Sequence, residues 1–185
     1  MQNEDASDSV AAIVTARLGL AAQKRWAVGV ERLLPDLTAL TGADDLDGAV
    51  HALHDLALDA PAWRRIMAAV TVGETRFLRQ RSWFERIERS ALATLIQQRR
   101  RQGMKRLHVW SAGCSTGEET YTLGVILRQT LPDAEDWKID ILGTDIRPDV
   151  IEAAERGVFA ARQLRELTPW QVERYFAPRE ANSLA

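Results

Sequence analysis

Gly113, Gly117, Glu118, Glu119 and Asp145 are the residues whose types and spacing point most directly to chemistry. The two glycines lie in Ser111-Ala112-Gly113-Cys114-Ser115-Thr116-Gly117, behind a short apolar run and ahead of an apolar-periodic stretch. Glycines in a strand-to-helix turn let a ligand approach the backbone, because no Cβ stands in the way. A phosphate-binding loop would continue with Lys and Ser or Thr. This loop continues with Glu118-Glu119, which would repel a phosphate and suits a ligand with positive charge and hydroxyl groups. Asp145 stands 32 residues after Gly113, at the end of the next apolar run. An acid at that place in a β–α–β unit accepts hydrogen bonds from ribose hydroxyls. Acids in a first helical turn also interact favourably with the helix macrodipole. For Glu119 that structural role and a ligand role stand side by side.

A cationic, ribose-bearing, phosphate-free ligand describes S-adenosylmethionine and fits the dinucleotides poorly. Positioning such a ligand takes a parallel sheet. Arg106–Ala112 reads as a strand, a helix follows the loop through Tyr121, Val125, Ile126 and Leu131, and 137–145 reads as a second strand. Pro148 and Pro169 open two further helices. The alternation predicts β–α–β–α with crossover helices. Upstream, a long helix is expected from about Ser82 to Gln102, with Trp83, Ile87, Leu92, Leu95 and Ile96 inward and arginines outward. Residues 1–70 read as a helical domain. Val10, Ile13, Val14 and Leu18 form one apolar stripe, and Trp26 to Leu40 form a second, ended near Gly42. Asp44 or Asp45 caps the next helix, and Pro61 opens another.

Composition bounds the rest. The chain has 185 residues, 46% hydrophobic and 27% charged, as in a soluble globular protein. No run approaches the ~18 apolar residues of a membrane span, and the acidic start lacks the order of a secretion signal. A lone cysteine, Cys114, excludes an internal disulfide and fits a reducing cytoplasm. Net charge is −2, unevenly spread. Residues 1–62 carry −6, 63–110 carry +9 and 111–185 carry −5. The basic middle either faces something anionic or is neutralised by its flanks on folding. Arg99-Arg100-Arg101 lacks interleaved aromatics, so nucleic-acid binding is not expected. His51 and His54 have no third ligand nearby, so no metal site is expected. His108 reads as structural, and Cys114 as a small loop residue without a histidine partner.

Val109 to Tyr121, containing Trp110-Ser111-Ala112, Ser115 and Gly117-Glu118-Glu119, resembles the first motif of the CheR-type chemotaxis-receptor methyltransferases. Thr71 to Arg79 resembles that family's Thr-x-Asn-x-Thr-x-Phe-Phe-Arg segment, and Gly143-Thr144-Asp145-Ile146 its second-strand acid. The resemblance runs from about residue 60 to 177. It implies an α/β fold: an all-α helical domain (1–70) followed by the first β–α–β–α units of a truncated Rossmann-like methyltransferase sheet (71–185). It implies S-adenosylmethionine as cofactor, held by Gly73, Thr75, Arg79, Gly113, Glu118 and Asp145. Gly73 replaces the family's asparagine and Thr120 its usual proline. The implied activity is protein-glutamate O-methylation of the cytoplasmic domains of chemoreceptors. Such a transfer needs no metal and no general base, because the carboxylate nucleophile is already ionised; no catalytic residue is assigned. The family's later motifs are not reached by Ala185, so the chain is expected to be a fragment, a shortened form or a unit completed by another chain. A shortened cofactor- or partner-binding homologue without turnover is the alternative. Direct membrane insertion is not expected. Self-association through unpaired strands is.

Overall fold

A proline in a first helical turn forfeits no hydrogen bond. Pro61, Pro148 and Pro169 each open a helix in the computed structural model, which describes residues 3–21 and 23–178. Helices come first: α1 (Asn3–Leu18), α2 (Lys24–Glu31), α3 (Leu34–Thr41), α4 (Leu46–Ala52) and α5 (Pro61–Val70). The second apolar stripe is divided between α2 and α3, because Pro35 occupies the first turn of a new helix. Gly42, at φ +75°, ends α3 in the left-handed conformation that glycine adopts without penalty. Of the two candidate caps for α4, Asp45 is the one used: its Oδ1 accepts the Gly48 N–H at 2.7 Å.

The described residues form two compact units. One extends to Gly73 and includes Ile146–Asp149; the other comprises Glu74–Asp145 and the chain from Val150. The first unit buries Val10, Val14, Trp26, Val30, Leu37, Leu53, Trp63 and Ile66 in a single apolar cluster. At Gly29 an added Cβ would lie 2.8 Å from the Ala69 carbonyl oxygen, so α2 and α5 touch backbone to backbone. The Arg17 guanidinium donates to the carbonyls of Leu53 (2.7 Å), His54 (3.1 Å) and Leu56 (2.6 Å), where α4 ends. It also lies 5.1 Å from the Trp63 ring centroid, a cation–π contact that ties this corner to α5.

The second unit starts with a rod made of α6 (Arg81–Arg86), a π-helical segment (Ile87–Leu92) and α7 (Ala93–Arg101). The expected inward face holds in part: Ile96 is buried and Ile87 and Leu92 are half-buried, but Trp83 is 46% exposed and Leu95 37%, and Phe84 is buried in place of Trp83. The continuous helix expected from Ser82 to Gln102 is interrupted by the wider π turn, which a 3.6-residue count does not foresee. The rod is followed by β1 (Arg106–Ala112), α8 (Glu118–Thr130), β2 (Lys138–Thr144), α9 (Pro148–Arg156) and α10 (Pro169–Tyr175).

β1 and β2 pair in parallel, in register from Arg106↔Lys138 to Ala112↔Thr144; among the described residues the sheet has these two strands. Alternation along a strand sends Leu107, Ile139 and Ile141 to one face, where they pack with Ile96, Leu127, Leu131 and Trp137. Among the described residues nothing covers the opposite face: Trp110 is 69% exposed and Leu142, its register partner, 61%. The α/β reading of the sequence therefore holds, with a narrow sheet covered on one side. Local charge pairing also offsets part of the basic middle. Arg100 pairs with Asp133, Lys105 with Asp133 (3.2 Å) and Asp136 (2.9 Å), and Arg106 with Asp140 (3.5 Å).

Candidate functional site at the β1–α8 loop

β1 ends at Ala112 and α8 begins at Glu118, so five residues make the turn. Hydrogen bonds to the end of β2 fasten it. The Gly113 and Cys114 N–H groups donate to the Thr144 carbonyl at 2.7 and 2.9 Å. The Ser115 N–H donates to Asp145 Oδ2 at 2.9 Å. Asp145 thus shapes the loop as well as standing at the strand's end. Gly113 (φ +73°) and Gly117 (φ +97°) are both left-handed, for different reasons. A Cβ at Gly117 would lie 3.0 Å from Ala154 Cβ, so α9 packs against this turn without room for a side chain. A Cβ at Gly113 would meet no described atom within 4 Å, which leaves its backbone open to a ligand.

Ser115 is left-handed too (φ +49°), as are Leu78 (φ +51°) and Gln80 (φ +62°). Non-glycine residues in that conformation cost of order 1–3 kcal/mol and gather where a backbone is shaped for binding. Leu78 precedes Arg79, and Ser115 lies between the two loop glycines.

Glu118 is 1% exposed. Its Oε2 accepts from Thr116 Oγ1 at 2.6 Å and its Oε1 from Gln163 Nε2 at 2.7 Å. Both partners are neutral, and the carboxylate lies in the first turn of α8, where the helix dipole favours negative charge. Glu119 is turned back to the strand, accepting from Ser111 Oγ at 2.6 Å. Thr122, also 1% exposed, donates to the Glu118 carbonyl at 2.7 Å and accepts the Leu78 N–H at 3.2 Å. One hydroxyl therefore links the segment bearing Thr75 and Arg79 to the helix bearing Glu118. Replacing Thr122 with valine keeps the shape and removes the acceptor. The expected cost is ~1–2 kcal/mol for the stranded N–H, read as a lower denaturation midpoint; an unchanged midpoint would contradict this role.

The residues singled out in the sequence are distributed as follows. Gly113 is fastened to the Thr144 carbonyl at the end of β2, and Asp145, the next residue, holds the Ser115 N–H of the same loop. Glu118 is enclosed behind the loop. Thr75 is half-buried. Arg79 is exposed, and its guanidinium donates to the Glu74 carbonyl. Gly73 belongs to the first compact unit, where an added Cβ would lie 3.2 Å from Arg147 Nη1. Gln163 and Thr122 escaped sequence reasoning. Nothing local marks a glutamine 45 residues beyond Glu118, and Thr122 reads as one more residue of an amphipathic helix.

Cys114 is buried, and desolvation pushes its thiol above the ordinary range, with the Asp145 charge adding to the effect. A raised pKa leaves less thiolate at any pH below it. Alkylation by iodoacetamide at pH 8 is expected to be slow in the native chain and fast in denaturant; rapid native alkylation would contradict the geometry.

The donor set fits a cationic, hydroxylated ligand. An open backbone at Gly113, an acid at the end of β2 and a buried carboxylate on neutral donors surround one loop. A family model described as "CheR methyltransferase, SAM binding domain" matches residues 73–185. The chain is 34% identical over 146 residues to a chemotaxis protein methyltransferase of Salmonella typhimurium, covering 78% of this chain and 46% of that protein. It is 36% identical over 115 residues to one of Escherichia coli, covering 62% and 36%. It is 31% identical over 118 residues to a probable chemotaxis protein methyltransferase of Rhizobium etli, covering 64% and 43%. The chain thus spans less than half the length of these relatives.

Proposed function

Because the chain belongs to the CheR methyltransferase family, we propose that it binds S-adenosylmethionine at the β1–α8 loop and serves protein-glutamate O-methylation of chemoreceptor cytoplasmic domains. The observation that carries this reading is the buried Glu118 carboxylate. Its partners are the neutral Thr116 and Gln163, behind a loop whose Gly113 is open and whose Ser115 N–H rests on Asp145. A buried charge held by neutral dipoles gains strongly from a nearby cation.

In this reading Asp145 accepts from the ribose hydroxyls and Gly113 offers its backbone. Glu118 draws the cationic end of the ligand, and Thr75 and Arg79 hold its methionyl end. Bound there, the cofactor supplies an electrophilic methyl group to a glutamate carboxylate of the protein substrate. The chain's residues then contribute orientation and exclusion of water, since attraction between a carboxylate and a sulfonium is quenched in bulk solvent. The arginine-rich stretch from Arg64 to Arg106 would steer the encounter with acidic receptor rods in the cytoplasm, in a chain made of a helical domain (1–70) and a methyltransferase domain (71–185). Among the described residues no helix is long and apolar enough to cross a membrane.

The test is transfer of tritiated methyl groups from S-adenosylmethionine to receptor-bearing membranes, with base-labile product expected. Calorimetric binding without any transfer would instead favour a binding homologue, and the absence of both binding and transfer would overturn the reading. Among the described residues β1 and β2 each keep one unpaired edge, which also favours self-association. Sedimentation velocity is expected to show a coefficient that rises with concentration; a concentration-independent monomer would contradict it.

A further inference from the structure

Glu118 is where the proposed site departs most from an exposed ligand-binding acid, and its surroundings identify a residue with a defined task. We propose that Gln163 is a positioning residue: its side-chain amide fixes the orientation of the Glu118 carboxylate. The claim rests on the reading of Glu118 as a cofactor-holding acid.

The amide's orientation is dictated by its partners. Gln163 Oε1 accepts the Ala160 N–H at 2.8 Å. A backbone N–H can only donate, so the oxygen must occupy that side and the nitrogen must face Glu118 Oε1, 2.7 Å away. Glu118 Oε2 is held in turn by Thr116 Oγ1 at 2.6 Å. With one donor on each oxygen, the plane of the carboxylate is set before any ligand arrives.

The segment bearing Gln163 is itself anchored to α8. The Phe159 ring meets Tyr121 edge to face at 5.2 Å and the buried Phe77 at 4.9 Å. The Tyr121 hydroxyl donates to the Ala154 carbonyl at 3.0 Å, and a Cβ at Gly157 would lie 2.6 Å from the tyrosine hydroxyl oxygen. Gly157, at φ +59°, lets the chain leave α9 directly beneath the tyrosine. Phe77 precedes Leu78, whose N–H rests on Thr122. The aromatic cluster therefore joins three pieces of the proposed site: the 75–79 segment, α8, and the turn that carries Gln163. Two oxygens prepared in this way meet a cationic ligand without reorganising, which is how preorganisation raises affinity.

The experiment uses Gln163→Met, which keeps length and removes the donor, and Gln163→Glu, which faces one carboxylate with another. Binding of S-adenosylmethionine, which carries the sulfonium charge, is measured by calorimetry between pH 5.5 and 8.5. Q163M is expected to bind about tenfold more weakly at every pH, the effect of one lost hydrogen bond to a charged group. Q163E is expected to bind at least about tenfold more weakly at pH 8 and to recover toward wild type as pH falls. A carboxylate facing another holds its proton to higher pH, so the shared proton restores a donor below that pKa and repulsion returns above it. A residue that merely packs would lower thermal stability, leave affinity unchanged and give Q163E no pH dependence; that outcome overturns the proposal. A wild-type chain without a binding isotherm overturns the cofactor reading instead. The positioning claim is then decided without ligand by the Glu118 carboxyl ¹³C resonance, which must move in Q163M and whose constancy refutes it.

Discussion

Replacing Asp145 with alanine is expected to weaken S-adenosylhomocysteine binding by about 10- to 100-fold, or ~1–3 kcal/mol. Two losses add in this variant. The ligand's ribose hydroxyls lose their proposed acceptor, and the Ser115 N–H loses the carboxylate oxygen 2.9 Å away that holds the loop. Ser115 sits at φ +49°, a conformation that serine keeps only when its surroundings enforce it. Once released, the loop relaxes toward an ordinary conformation and the opening at Gly113 changes shape. Gly113 and Cys114 still donate to the Thr144 carbonyl, so the turn is loosened without being lost. Asp145→Asn separates the two losses. Its amide retains an oxygen for the Ser115 N–H while removing the charge, so it is expected to bind better than alanine and worse than wild type. Affinity of D145A equal to wild type would mean the ribose lies elsewhere.

Gly117→Ala is expected to destabilise the second unit by ~2–5 kcal/mol. The left-handed backbone at φ +97° costs a residue with a Cβ about 1–2 kcal/mol. The new methyl would also sit 3.0 Å from Ala154 Cβ and 3.3 Å from a Tyr121 ring carbon, overpacking of a kind that costs about 1–3 kcal/mol. Neither neighbour yields easily, since Ala154 is part of α9 and Tyr121 is pinned by its bond to the Ala154 carbonyl. Gly113→Ala is the informative contrast. It bears a similar backbone cost but meets no described atom, so it should be milder in stability while still obstructing the ligand. Equal denaturation midpoints for G117A and wild type would contradict the close approach of α9.

Much of the architecture was legible because its signals are local. Pro61, Pro148 and Pro169 start helices wherever they fall in a first turn, and Asp45 announces a cap three residues before the N–H it accepts. The strand read at Arg106–Ala112 has those limits, and the one read at 137–145 loses one residue at each end. The π segment at Ile87–Leu92 was illegible, since no residue type announces it, and so was the choice of Phe84 over the adjacent Trp83 for burial. At the loop, the types at Gly113, Gly117, Glu118 and Asp145 suggested a ligand, but their division of labour did not follow from type. Gly117 is required by the close packing of α9, and Asp145 is also a loop fastener. Glu118 is a buried acid whose partner comes from 45 residues away. Long-range hydrogen bonds and the strained backbones of Leu78 and Ser115 arise only when separate elements meet.

The central claim is that the β1–α8 loop and the end of β2 hold S-adenosylmethionine. Ultraviolet crosslinking of the radiolabelled cofactor, followed by tryptic mapping, tests it most directly. Label is expected on peptide 107–128, which carries the loop and Glu118, and on peptide 139–156, which carries Asp145. It should be displaced by S-adenosylhomocysteine and untouched by ATP. Label confined to the helical segment before residue 70, or displaced equally by ATP, would contradict the account.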